Sequence, residues 1–177
     1  MSAKQESCAF TGHRPSKLPW GDNERDPRCE DLRRRIANAL EQAYEEGFRH
    51  FLCGMAQGCD LYFGEAVRNL KRTRPGVTLE AALPYRDFAA RWAPAQKRKY
   101  EELLGGCDNV ISLSPVYTPS CPLVRDRYLV DHAALLLAVY DGLPGGTRYT
   151  IEYALKRGVE VRYLPITEES GGTETLF

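Results

Sequence analysis

Residues 48–60, with the sequence FRHFLCGMAQGCD, join a short apolar run to a loop that contains two glycines. The run from Phe48 to Cys53 has the length and composition of a strand. Beyond the loop, apolar residues recur at helical spacing from Leu61 to Leu70, and Gly64 among them is small enough to let a helix approach the sheet closely. The segment therefore predicts a strand, a glycine loop and a helix in direct succession.

The same alternation continues on both sides of this unit and predicts an α/β fold. We expect a Rossmann-like three-layer α/β/α sandwich with a mainly parallel sheet of about six strands. The predicted strands are Cys8 to Thr11, Phe48 to Cys53, Val77 to Leu83, Asn109 to Leu113, Leu135 to Tyr140 and Val159 to Ile166. Helices are predicted from Pro27 to before Gly47, Leu61 to Leu70, Asp87 to Trp92, Ala95 to Leu104, Pro122 to His132 and Thr150 to Arg157. Residues 1–166 are expected to form a single domain, and residues 167–177 a disordered tail.

The charge and hydrophobicity of the 177-residue chain argue against several classes of protein. Its 24 Lys+Arg and 24 Asp+Glu give a formal net charge of +0, so no overall charge attracts nucleic acid or an anionic membrane surface. The longest apolar run, Ala133 to Tyr140, is far shorter than the roughly 20 residues of a membrane-spanning helix. The N-terminus lacks the apolar core of a signal peptide. We therefore expect a cytoplasmic protein with no membrane partner.

The spacing of cysteine and histidine does not predict a metal site. The six Cys form no C-x-x-C pair and the three His form no H-x-x-x-H pair, so we expect no metal and no other cofactor. Without an export signal, the cysteines are expected to be reduced thiols. Cys53 and Cys59 flank one glycine loop, but no base that would activate either thiol is evident nearby.

Three loops follow predicted strands and should meet at one edge of the sheet. They are Thr11 to Pro15, Gly54 to Asp60 and Gly142 to Thr147. In a parallel sheet all three emerge at the C-terminal edge, where open α/β sheets bind their ligands. The second and third loops run directly into helix N-termini, which suit phosphate, although any one glycine loop could simply be a turn. None has the Walker A pattern or the G-x-G-x-x-G spacing, which disfavours ATP hydrolysis and ordinary NAD binding.

Four motifs, taken in order, resemble one known superfamily. They are Thr11-Gly12-His13-Arg14-Pro15, Gly54-x-Ala56-x-Gly58-x-Asp60, Arg125-x-Arg127-Tyr128-x-Val130-Asp131, and Gly145-Gly146-Thr147 with a following Tyr153-Ala154. This pattern, from about residue 8 to 166, is similar to the SLOG superfamily and specifically to its YpsA-like branch. The superfamily also includes the DNA-processing protein A proteins, which bind single-stranded DNA, and the "lonely guy" phosphoribohydrolases. The resemblance implies a Rossmann-like fold and a nucleotide or nucleotide-derived ligand.

The expected ligand residues lie on these motifs. Arg14 could bind a phosphate through its guanidinium or form a surface ion pair, and His13 could contact the ligand or be structural. Asp60 could accept a ribose hydroxyl or stabilise a helix N-terminus. The expected phosphate and ligand contacts are Thr11, Gly12, His13, Arg14, Gly54, Ala56, Gly58, Asp60, Arg127, Gly145, Gly146 and Thr147.

Two further pairs of residues leave alternatives open. Arg125 and Arg127 are two residues apart on a predicted helix and therefore point about 200° apart, so only one of them can face the ligand. Arg127 and Asp131 are also spaced for an ion pair along the helix. Trp20 and Trp92 lie in irregular segments over the same edge, where they could stack on a base or fill a crevice.

The sequence favours a sensor or ligand-binding protein for a nucleotide-type small molecule. An alternative is a phosphoribohydrolase-like N-glycosidic hydrolase of nucleoside monophosphates, with Asp60, Glu65 or Glu152 as the acid or base. The phosphoribohydrolases carry P-G-G-x-G-T-x-x-E, whereas Glu152 follows Thr147 by five residues, which displaces the carboxylate. A second alternative is binding of single-stranded DNA, but the balanced charge makes nucleic acid a partner that we do not expect. Enzymatic activity and homo-oligomer formation remain open.

Overall fold

A parallel sheet of six strands lies at the centre of the protein in a computed structural model that describes residues 3–168. The strands are β1 (Ser7–Thr11), β2 (His50–Cys53), β3 (Thr78–Leu83), β4 (Asn109–Ser112), β5 (Leu135–Val139) and β6 (Glu160–Leu164). Their spatial order is β4-β3-β2-β1-β5-β6, and every neighbouring pair is parallel. The predicted sheet is confirmed, with strand ends that differ from the predicted ones by at most two residues.

Helices cover both faces of the sheet. They are α1 (Pro27–Glu45), α2 (Cys59–Lys71), α3 (Pro94–Gly105), α4 (Cys121–Asp131) and α5 (Gly146–Lys156). Successive residues of a strand point to opposite faces, so Cys8 and Phe10 of β1 join the core under α1 and α2, while Ala9 joins the core under α4 and α5. The arrangement is the predicted three-layer α/β/α sandwich.

The strand order reverses between β1 and β5, and this reversal positions the site. β1 lies between β2 and β5, with Cys8 opposite Phe51 on one side and Leu135 on the other. From β1 the chain builds the sheet towards β4, and from β5 it builds towards β6 in the opposite direction. The connections that leave β1 and β5 therefore diverge and open a crevice at the C-terminal edge.

Two predicted helices differ from the structure. Asp87 to Trp92 forms successive turns in which Ala90 N donates to Asp87 O and Trp92 N donates to Ala89 O, both at 3.1 Å, and Pro94 then begins α3, so the short segment does not continue as a helix. The helix predicted from Thr150 begins four residues earlier at Gly146, a residue without the side chain that would show the helical period.

Two expectations from the sequence concern the tail of the chain and membrane-spanning helices. The predicted disordered tail of residues 167–177 lies, from residue 169 onwards, outside the described residues. None of the helices in residues 3–168 combines the length and the apolar character needed to cross a membrane.

Gly64 allows a close contact between two helices rather than the predicted contact with the sheet. A Cβ atom at this position of α2 would overlap Leu103 Cδ2 of α3, and Leu103 is itself 1% exposed. The leucine is enclosed and cannot move aside freely. The absence of a side chain at Gly64 is therefore what lets α3 pack on α2.

We expect Gly64→Ala to lower the free energy of unfolding. Overpacking a core costs about 1–3 kcal/mol, and the better helix propensity of alanine returns at most about 1 kcal/mol. Gly105→Ala is the matched control, because no atom lies within 4 Å of a Cβ at that helical position. Urea denaturation of the three proteins checks this, and a Gly64→Ala protein as stable as Gly105→Ala would contradict it.

Candidate functional site

A cavity of about 270 Å³ lies at the C-terminal edge of the sheet, between the segments that follow β1 and β5 and the N-terminal half of α4. Residues from all four sequence motifs line it. Eight of the expected ligand residues line it: Thr11, Gly12, His13, Arg14, Ala56, Asp60, Gly146 and Thr147. Arg125, which the sequence left open against Arg127, also lines it, together with residues that were not expected there: Phe10, Ser16, Lys17, Pro122, Leu123, Asp126 and Leu129.

Six expected residues do not line the cavity. Gly54, Gly58 and Gly145 belong to the loops beside it, and Arg127, Glu65 and Glu152 lie elsewhere. Arg127 is exposed, and Arg125 is the arginine that faces the cavity, as the 200° offset between them requires. Glu65 lies between α1 and α2, where Arg33 Nη2 donates to its carboxylate at 2.7 Å. Glu152 is on the outer face of α5, where Arg148 Nε donates to it at 3.0 Å. Of the three carboxylates considered for acid–base chemistry, Asp60 alone lines this cavity.

The loop of residues 54–58 holds Asp60 and Arg125 against each other. Asp60 Oδ2 accepts a hydrogen bond from Ala56 N at 3.1 Å, and Arg125 Nη1 donates to Gly54 O. A Cβ at Gly54 would lie 2.8 Å from Arg125 Nη1 and 2.9 Å from Asp60 Oδ2. Glycine is therefore required at residue 54 because the guanidinium and the carboxyl both pack against its backbone.

The N-terminus of α2 is filled by groups of the protein itself. Cys59 N donates to His13 O at 3.1 Å, and the Asp60 carboxyl takes the adjacent Ala56 N–H. Gly58 has φ +86°, and a Cβ there would lie 2.8 Å from His13 O. The loop after β1 thus occupies the place where a phosphate was expected on this helix.

The N-terminus of α5 is open in comparison. Gly145 precedes it with φ +151°, and no side chain within residues 3–168 caps it. The N–H groups of a first helical turn have no partner within the helix. Lys17 Nζ donates to Pro144 O at 3.3 Å beside this turn, and Arg14 is exposed on the same rim. Two cations and a helix N-terminus therefore give this end of the cavity a positive potential.

His13 is enclosed in the wall between these two ends. It is 3% exposed, and burial lowers the pKa of its imidazole, which is therefore neutral at pH 7. Its Nε2 lies 3.2 Å from Asp141 Oδ1, and this carboxylate opposes the effect of burial on the pKa of the imidazole. The buried ring nitrogen therefore faces a polar group of the loop after β5.

Asp60 is an acid that titrates near neutral pH. Burial raises the pKa of its carboxyl to about 6, against the opposing effect of the Arg125 guanidinium. The carboxyl can therefore exchange a proton close to pH 7 and can also accept hydroxyl hydrogen bonds when ionised.

The side chains of Cys53, Cys59 and Trp20, which were considered in the sequence, are buried and are not placed to react with a ligand. Cys53 and Cys59 are free and buried, and burial raises the pKa of both thiols, so they are protonated at neutral pH. Trp20 is buried in the core, where its Nε1 donates to Tyr62 Oη at 3.1 Å. Within residues 3–168, no three Cys, His, Asp or Glu side chains are grouped in a way that could hold a metal ion.

Asp60→Asn should change the pH dependence of stability. Because the folded-state pKa is raised from 3.8 to about 6, ionisation of Asp60 lowers the free energy of unfolding as pH rises through this range. We expect the stability of Asp60→Asn relative to wild type to increase by about 1 kcal/mol between pH 5 and pH 7.5. Urea denaturation at both pH values measures this, since the shared titratable groups cancel. A constant difference would contradict the raised pKa.

Known proteins similar in sequence support one family. A UPF0398 protein of Halalkalibacterium halodurans is 33% identical over 135 residues, which cover 72% of this chain and 71% of that protein. The SPbeta prophage-derived protein YoqJ of Bacillus subtilis is 26% identical over 145 residues, covering 75% of this chain and 85% of YoqJ.

Known structures similar in fold come from DNA processing protein A. The Streptococcus pneumoniae protein has a TM-score of 0.63 at 18% identity, and the Helicobacter pylori protein, described as binding single-stranded DNA, has 0.61 at 14%. Each likeness covers 92% of this chain, which spans 51% and 66% of those two chains. At this identity the likeness is one of fold, and it confirms the Rossmann-like architecture.

A family model decides the assignment. The model of the YspA SLOG family matches residues 8–166, which include every strand of the sheet from Cys8 onwards and the whole cavity lining. The resemblance found in the four motifs is thereby confirmed, and the chain belongs to the YspA SLOG family.

Proposed function

We propose that this protein binds a phosphorylated nucleotide-type ligand, with the phosphate at the N-terminus of α5. The observation that carries the proposal is that this uncapped helix end opens into the cavity between Lys17 and Arg14. A helix N-terminus with adjacent cations favours a phosphate through its N–H groups and its positive potential. The Thr147 hydroxyl, which is buried in the same wall, adds a hydrogen-bonding group.

The inner part of the cavity suits a ribose rather than a second phosphate. The carboxyl groups of Asp60 and Asp126 lie there beside Arg125, whose Nε donates to Asp126 Oδ1 at 2.8 Å, so the cation of this region is already paired within the protein. A carboxylate accepts hydrogen bonds from hydroxyl groups, which suits the hydroxyls of a ribose. A sugar phosphate placed with its phosphate on α5 and its hydroxyls towards Asp60 matches both ends of the cavity.

Ligand binding without glycosidic cleavage is the form of this function that we favour. In the hydrolase pattern a glutamate at the start of the last helix supports the chemistry, and here Glu152 lies on the outer face with Arg148. Asp60 lies in the cavity, but it is held by Ala56 N and close to Arg125. We therefore propose a sensor, with Asp60 as a ligand contact.

Removal of one cation should weaken phosphate binding selectively. Lys17→Ala is expected to lower the affinity for adenosine or guanosine monophosphate about 10-fold or more, because a charge-assisted hydrogen bond contributes about 1.5–3 kcal/mol. Lys156→Ala removes the same charge at the opposite end of α5 and is the control. Isothermal titration calorimetry at fixed ionic strength measures both.

A thermal-shift panel tests the proposal in the wild-type protein. A ligand present at about 100 times its dissociation constant adds roughly 2.7 kcal/mol of stability, which raises Tm by about 5–10 °C for a chain of this size. Nucleoside monophosphates and ribose 5-phosphate should both produce a shift. If Tm is unchanged by millimolar amounts of both compounds, the proposed phosphate site is wrong.

Single-stranded DNA is a second candidate ligand. The structural neighbours include a protein described as binding single-stranded DNA, which speaks against the expectation drawn from the net charge. Tyr117, which is 62% exposed, lies with its ring centroid 5.6 Å from that of Tyr85 near the same sheet edge. Exposed aromatic rings stack on the bases of single strands. Fluorescence anisotropy with a labelled oligothymidylate, with and without competing mononucleotide, distinguishes this candidate from the first.

A further inference from the structure

A second cavity of about 260 Å³ adjoins the first. The two share Arg14, Ser16 and Ala56 as lining residues, so they are separated only by side chains of the loop after β1 and the loop after β2. Each cavity alone is smaller than the roughly 300–1,000 Å³ of small-molecule sites, and the two together fall within that range. The residues that line only the second cavity are Pro15, Asp22, Gln57, Phe88 and Trp92.

Two aromatic rings form one wall of the second cavity and are fixed from behind. Phe88 and Trp92 meet edge to face, with centroids 5.3 Å apart. Trp92 packs on Tyr100 of α3 at 5.1 Å, and Tyr100 is 5% exposed. Both wall rings are partly exposed, in contrast to the buried Trp20. The rings are thus held in place while part of their surface stays open to the cavity.

Polar side chains line the rest of this second cavity. Gln57 offers an amide that both donates and accepts, and Asp22 offers a carboxylate that accepts. Nucleobases present matching donors and acceptors on their edges. An aromatic wall with a few polar groups beside it is the arrangement that a base requires, since its faces stack and its edge forms hydrogen bonds.

We propose that the second cavity is the base subsite, in which a purine base stacks on Trp92, with Phe88 beside it and with its polar edge towards Gln57 and Asp22. The inference rests on the proposed function and extends it from phosphate recognition to the ligand class, a purine nucleoside monophosphate. The ribose crosses the shared boundary beside Arg14, and the phosphate reaches the N-terminus of α5. A sugar phosphate without a base fills the first cavity alone.

Tryptophan fluorescence reports on this subsite directly. The chain has two Trp, and Trp20 is enclosed in the core, so quenching on titration with guanosine monophosphate must come from Trp92. We expect quenching by guanosine or adenosine monophosphate in wild type, none by ribose 5-phosphate, and none by either nucleotide in Trp92→Phe. The affinity of Trp92→Phe should stay within about 3-fold of wild type, because a phenyl ring still stacks.

The variant Trp92→Ala distinguishes the contribution of the base to binding from that of the phosphate. Loss of a stacking ring should weaken guanosine monophosphate about 5-fold to 100-fold, as for stacked bases elsewhere, while ribose 5-phosphate binds as in wild type. The Tm of each variant without ligand verifies that it is folded, and Trp92→Phe carries the test if Trp92→Ala does not fold.

The other outcomes distinguish failure of the base subsite from failure of the phosphate site. If mononucleotide and ribose 5-phosphate bind equally well and Trp92 is not quenched, the base subsite is wrong and the phosphate site stands. If neither compound binds, the proposed function fails and the subsite fails with it. If oligothymidylate quenches Trp92 and mononucleotides do not, the aromatic wall serves single-stranded DNA and the purine proposal is wrong.

Discussion

The contact of the Arg125 guanidinium with Gly54 O and the neighbouring Asp60 carboxyl connects the parts of the protein on which the site depends. It joins α4 to the loop after β2, and the same guanidinium lies 5.9 Å from the ring of Phe88. Arg125 is 5% exposed, and its Nε also donates to Asp126 Oδ1 at 2.8 Å, so removal of the arginine would leave the buried Asp60 and its neighbour Asp126 without their cation. The cavity walls therefore keep their relative positions through one buried arginine.

The two helix N-termini at this edge differ in what already occupies them. At α2 the first backbone N–H, that of Cys59, donates to His13 O, and the Asp60 carboxyl of the first turn accepts from Ala56 N of the preceding loop. At α5 no side chain of the described residues takes that place. One helix end is thus consumed in building the cavity and the other remains for a ligand, which explains why two similar glycine loops have different roles.

Much of this arrangement could be predicted from the sequence, because apolar periodicity determines strands and helices and the strand ends determine which loops meet. The three loops do meet, and eight of the expected residues line one cavity. The side-chain partners could not be predicted in the same way. Either Arg125 or Arg127 could face the cavity until the rotation of α4 is known. The roles of Lys17 and Trp92 depend on their contacts with residues that lie 127 and 8 positions away along the chain. The sequence from Asp87 to Trp92 resembles that of a helix because Phe88 and Trp92, whose rings pack on each other, are spaced four residues apart.

The place of β1 between β2 and β5 has a consequence for the order in which the protein is assembled during synthesis. Strands β1, β2 and β3 and helices α1, α2 and α3 lie within the first 105 residues, and each of them contributes residues to the core under α1 and α2. That part can begin to pack as it leaves the ribosome, since domains form from the N-terminus onwards. One edge of β1 stays unpaired until Leu135 arrives opposite Cys8. The ligand cavity therefore cannot exist on a nascent chain before β5 and the first turn of α5 are made.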